Sequence, residues 1–136
     1  GAVLTSPPYP AVYDYLRLQE LRLAWLGLDL GKRDSAEISP RRDFVGPERE
    51  RGIKRWREDQ RSWLKKAHAA LLPGGRVFVV IGDGWVASKP IDTLVPIVED
   101  GQRVGLTLLG SASGGRLDEG PGAHRREHVI LLEKPA

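Results

Sequence analysis

The stretch RVFVVI, Arg76 to Ile81, constrains the fold more than any other segment of the chain. It is almost continuously apolar and rich in β-branched residues, and breakers bound it on both sides: Leu72-Pro73-Gly74-Gly75 before and Gly82-Asp83-Gly84 after. A strand that alternates apolar and polar residues can leave one face in water. A run like this one asks for cover on both faces, as an inner strand of a parallel sheet has. Parallel neighbours need crossover connections, so helices should alternate with strands along the chain.

The remaining segments fit that alternation. Ala2 to Thr5 reads as a short buried strand, because the apolar run is cut off by Ser6-Pro7-Pro8, which cannot continue a helix. Pro10 can then open a helix running to about Leu26, with Gly27 as its stop. Residues 27–51 mix Gly, Pro and charge without a period and read as an excursion from the core. From about Gly52, the residues Ile53, Trp56, Gln60, Trp63, Leu64, Ala67 and Leu71 recur at three and four and predict the clearest helix of the chain. Ile91 to about Asp100 predicts another, ended by Gly101 and shortened or kinked by Pro96. Leu106 to Leu109 and His128 to Glu133 read as two strands joined by the loop SASGGRLDEGPGAHRRE. The expected fold is α/β, with a mostly parallel sheet, an antiparallel hairpin at its carboxyl-terminal edge and helices on both faces.

A chain of 136 residues is the size of one domain. With no cysteine, it has no disulfide, thiolate nucleophile or cysteine-ligated zinc. His68, His124 and His128 show no ligand spacing, so no metal site is expected. No apolar run approaches the roughly 18 residues of a membrane span, and no charged-then-apolar leader is visible, so a cytoplasmic location is the expectation. A net charge of +3 and a pI near 9.4 permit a polyanionic partner without demanding one. The chain has no methionine and starts next to an apolar strand, which suggests a partial chain.

Val3-Leu4-Thr5-Ser6-Pro7-Pro8-Tyr9 resembles the (D/N/S)PPY catalytic motif of class I S-adenosylmethionine-dependent amino-methyltransferases, which follows the fourth strand of their sheet. The Ser-Pro-Pro-Tyr form is similar to that of the DNA cytosine exocyclic-amino methylases. LLPGGRVFVVIGDG resembles the helix end and fifth strand of such enzymes, and REHVILLEKP their final strand. The resemblance implies a partial Rossmann-like methyltransferase sheet of strands four to seven, the catalytic half of the enzyme, with S-adenosylmethionine as cofactor.

The chemistry of the motif agrees with this. An exocyclic amine is a poor nucleophile because its lone pair is delocalised into the ring, and rigid acceptors for its hydrogens localise that pair. Prolines fix φ and remove a donor, so a Pro-Pro turn can hold carbonyls outward. The resemblance assigns Ser6 Oγ and the Pro7 carbonyl as acceptors, Pro8 as the stiffener, and Tyr9 as the ring that stacks on a flipped base. It further places Thr5 and Ser6 beside the cofactor and makes Asp14 a candidate pocket residue.

Two features stand apart from the motif. Gly82-Asp83-Gly84-Trp85-Val86-Ala87 matches GxGxxA after a strand, but Ser88-Lys89-Pro90 opposes the helix that dinucleotide binding uses, so the expectation is a tight turn at the edge of the site. Arg41 and Arg42 lie in the excursion, where enzymes of this class carry substrate-recognition elements, and suit phosphate contacts. Arg57, Glu58 and Arg61 are expected to form helix-surface ion pairs, and Trp56 and Trp63 to lie in the core.

The expected activity is methyl transfer to a nucleic-acid base, cytosine in DNA first and tRNA guanosine as the alternative. The isolated chain is expected to be inactive without a cofactor-binding half. An open sheet edge would invite either that half or self-association into a homo-oligomer. A non-catalytic remnant that binds nucleic acid or protein is the reading from another class.

Overall fold

The computed structural model describes residues 1–29, 37–38, 40–86, 89–117 and 124–136. Strand β1 (Ala2–Thr5) is followed by two short helices, α1 (Tyr15–Leu18) and α2 (Glu20–Trp25). Two 3-10 turns, Arg41–Phe44 and Gly46–Glu48, lead into the long helix α3 (Arg49–Ala70). Then come β2 (Arg76–Gly82), a small hairpin of β3 (Gly84–Val86) and β4 (Lys89–Ile91), helix α4 (Leu94–Arg103), β5 (Thr107–Leu117) and β6 (His124–Glu133).

The main sheet has the order β1-β2-β6-β5. β1 is parallel to β2, while β6 runs antiparallel to both its neighbours, β2 and β5. Three strands therefore point one way, and the last strand is inserted against them between β2 and the edge strand β5.

Val77, Val79 and Ile81 point to one face, and their β6 partners Leu132, Ile130 and His128 continue it. This face is buried under α3 and α4, through Trp56, Leu64 and Ala67 of α3 and Ile97 of α4. Complete burial of each valine, leucine and isoleucine among them contributes about 1.5–3 kcal/mol. Trp56 lies in the core and Trp63 is half-buried against it, as their spacing predicts.

The opposite face differs from expectation. Among the described residues no helix covers it: Leu4 is 79% exposed and Val129 47%, with Phe78 and Leu131 half-buried between them. The alternation in β2 is thus real, hidden in the sequence because both faces carry apolar side chains.

Several boundaries move for local reasons. The first helix begins at Tyr15 rather than Pro10, because Ala11 takes a left-handed φ of 61° and Pro10 packs its carbonyl against Gly84. α4 runs through Gly101, where a Cβ would stand 2.9 Å from Leu132 Cδ1; the turn comes at Gly105, with φ +94°. Pro96 falls in the first turn of α4, where its missing N–H costs nothing. The β5–β6 ladder also claims 111–117 and 124–127, which read as loop in the sequence.

The expected ion pairs of Arg57, Glu58 and Arg61 along their own helix give way, among the described residues, to pairs with the neighbouring helix. Arg57 and Arg61 bind Asp100 of α4, whose side chain is fully buried, at 3.1 Å and 3.0 Å, and Arg103 joins at 3.2 Å. Burial alone would raise the Asp100 pKa, but the hydrogen bonds from Arg57 and Arg61 outweigh it and hold the carboxyl below its ordinary value. At the other end of α3, Lys134 Nζ donates to the carbonyls of His68 and Leu71, closing acceptors the helix leaves open.

Candidate active site

The parallel register of β1 with β2, Thr5 opposite Val79, brings the chain after Thr5 alongside the end of β2. Ser6 is exposed there, Pro7 is buried, and Pro8 and Tyr9 are half-buried. The prolines explain why the strand stops: neither can donate to the β2 ladder.

Gly82 and Gly84 form the seat of this turn. A Cβ on Gly82 would stand 2.6 Å from Tyr9 Cε2 and 2.9 Å from Tyr9 Cδ2. A Cβ on Gly84 would collide with the Pro10 carbonyl oxygen. Both glycines are required by close approach, and β3 follows them directly instead of a helix, so GDG is a seat and not a dinucleotide loop. Tyr9 Oη donates to Glu127 Oε1 at 2.6 Å, and Glu127 is the β6 partner of Gly82. The ring is thereby fixed at both ends, on β2 and on β6.

Asp83, between the glycines, points away from Tyr9 into the protein. Its Oδ1 accepts from Thr93 N at 3.1 Å and Thr93 Oγ1 at 3.2 Å and meets His128 Nε2 at 3.0 Å. His128 Nδ1 lies 2.7 Å from Ser113 Oγ. These bonds tie the seat to the start of α4 and to β5. Asp83, Asp92 and His128 bring possible ligand atoms within 4.8 Å of one another, but the facing atoms of Asp83 and His128 are already bonded together.

Asp14 and Arg42 meet each other. Asp14 Oδ1 accepts from Arg42 N at 3.2 Å and from Arg42 Nη1 at 3.3 Å, and Glu37 Oε2 takes the same Nη1 at 2.8 Å. Glu37 Oε1 also accepts from Leu16 N at 3.1 Å. Arg42 thus fastens the end of the excursion to the start of α1. Arg41 is exposed beside it, with its N–H donating to the Tyr13 carbonyl at 3.2 Å. A cleft of about 280 Å³ next to this pair is lined by Arg42, Arg51 and Arg55 together with Asp43 and Glu48. Residues 30–36 and 39 of the excursion lie outside the described residues.

The sequence marks Gly82-Asp83-Gly84 as a tight turn at the edge of the site, and nothing in it singles out Glu127, His128 or Glu37 as site residues. Glu127 lies 118 positions from Tyr9. Only the β2–β6 register, which sets Glu127 opposite Gly82, reveals it.

No protein-family profile and no curated protein matches the chain. Solved structures do. A "Putative DNA Modification Methylase" from Thermus thermophilus, complexed with S-adenosyl-L-methionine, superposes with a TM-score of 0.59 over 99% of this chain at 16% identity. Another structure of that protein gives 0.52 over 99% at 21% identity. The chain spans 45% and 46% of those chains, less than half their length. At such identity the likeness establishes a shared fold.

Proposed function

We propose that the chain is the catalytic half of an S-adenosylmethionine-dependent methyltransferase acting on an exocyclic amino group of a nucleic-acid base, cytosine in DNA. The observation that carries this reading is Ser6-Pro7-Pro8-Tyr9 at the carboxyl end of β1, seated on Gly82 and Gly84. One fold neighbour is described as a "Putative DNA Modification Methylase" complexed with S-adenosyl-L-methionine, which favours the same cofactor and a DNA substrate here.

The residues at the strand end fit such a cofactor's reactive end. Thr5 and Ser6 are polar and uncharged, and Ser6 is open to solvent, so neither repels a sulfonium. When bound, S-adenosylmethionine supplies an electrophilic methyl group. Ser6 Oγ and the Pro7 carbonyl accept the amine hydrogens, which returns lone-pair density to nitrogen. Tyr9 offers its ring to the base, and Glu127 holds the ring by its hydroxyl. Asp14 and Arg42 shape the wall of the pocket as a pair, and Arg41 is the side chain of the two left to reach a phosphate.

Calorimetry and methyl-transfer assays on the full-length protein test this. Cofactor binding retained in Ser6→Ala and Tyr9→Ala, with transfer strongly reduced in both, is the expected result. Unchanged transfer in both variants contradicts the assigned roles. Nucleoside analysis of the product distinguishes methylated cytosine in DNA from methylated guanosine in tRNA.

A further inference from the structure

The Asp83–His128–Ser113 chain of hydrogen bonds has the composition and order of a nucleophile relay. We propose that Ser113 is an activated nucleophile, served by His128 and Asp83, that reacts with carboxylic esters. The site is separate from the methyl-transfer chemistry and does not depend on it.

The bonding pattern sets the roles. Asp83 Oδ1 accepts both the backbone and the hydroxyl hydrogen of Thr93, so it faces His128 as an acceptor too, and His128 Nε2 carries the ring hydrogen. His128 Nδ1 is then a lone pair aimed at Ser113 Oγ, 2.7 Å away. A base within hydrogen-bond reach of a hydroxyl, oriented by a third group, is the arrangement that activates serine. Burial is graded accordingly: His128 is 1% and Asp83 8% exposed, while Ser113 is exposed.

The surroundings leave room for a substrate. Ser113 is exposed on the strand face that carries His128, and Gly115 follows it on that face. A Cβ on Gly114 or Gly115 would meet nothing within 4 Å, so the chain beside the hydroxyl is bare. Among the described residues β5 is the sheet edge, where alternate backbone N–H groups lack a strand partner and can face an oxyanion.

In the proposed reaction, Ser113 Oγ bonds to the ester carbonyl carbon as its hydrogen passes to His128 Nδ1. The alcohol departs with that hydrogen, leaving acyl-Ser113. Water then adds by the same route, releasing the carboxylic acid and restoring the serine hydroxyl.

A fluorophosphonate probe tests the nucleophile, because the Oγ–P bond forms as fluoride leaves and His128 takes the proton. The expected result is a single adduct on Ser113 by peptide mass spectrometry, absent in Ser113→Ala and formed about tenfold or more slowly in Asp83→Asn. Since the chain has no cysteine, a second readout leaves the buried residues unmutated. The thiol of Ser113→Cys should react with iodoacetamide about tenfold faster at neutral pH than that of Ser111→Cys, two residues along the same exposed strand. Absence of the adduct in the wild-type protein, an adduct rate unchanged by Asp83→Asn, or equal alkylation of the two thiols each overturns the proposal.

Discussion

Tyr9 Oη donates a 2.6 Å hydrogen bond to Glu127 Oε1, joining the turn after the first strand to the last strand of the sheet. A half-buried bond to a carboxylate contributes about 1–3 kcal/mol. Tyr9→Phe and Glu127→Gln should therefore each destabilise the protein, and the double variant should lose less than the sum. Urea unfolding of the four proteins measures the coupling, and strict additivity would mean the two side chains do not interact.

Gly82→Ala should break the same arrangement from below. Its new methyl would stand 2.6 Å from Tyr9 Cε2, so the ring must shift and the bond to Glu127 must loosen. The expected loss is about 1–3 kcal/mol. Gly110→Ala is the control, since nothing lies within 4 Å of its Cβ position. Equal midpoints for the two variants in urea would show that Tyr9 is not seated on Gly82.

What the sequence disclosed and what it concealed divide along contact distance. Ser-Pro-Pro-Tyr, the spacing of Trp56 and Leu64, and the RVFVVI strand are local patterns, and each was legible. The position of β6 between β2 and β5 depends on strand pairing, and Glu127, His128 and Ser113 gain their roles from it. Asp100 has no signal of its own: a carboxylate near the end of an amphipathic helix normally faces water, and only the packing of α3 on α4 turns it into the anchor of three arginines. Gly82-Asp83-Gly84 was visible as a break, but its function as a seat requires knowing that Tyr9 and Pro10 return to it.

Acid should reveal Asp100. Its folded-state pKa lies below the ordinary aspartate value of about 3.9, so its stabilisation is complete above that value and is lost as pH falls through the folded-state value. Asp59 acts in the opposite sense, because burial raises its pKa and protonation relieves it. Asp100→Asn should flatten the acid limb of the stability curve. At neutral pH it should cost less than the roughly 3–5 kcal/mol of breaking a fully buried pair, because Arg57, Arg61 and Arg103 keep contact with water. Thermal unfolding between pH 2 and 7 checks both points, and an acid limb identical to wild type would remove Asp100 from the account.

The most direct test of the central claim is nucleoside mass spectrometry of DNA incubated with the full-length protein and S-adenosylmethionine. The account predicts cytosine methylated on its exocyclic nitrogen, abolished by Ser6→Ala while the variant still binds the cofactor. DNA left unmethylated by a wild-type protein that binds the cofactor, or product formation undiminished in Ser6→Ala, would contradict it.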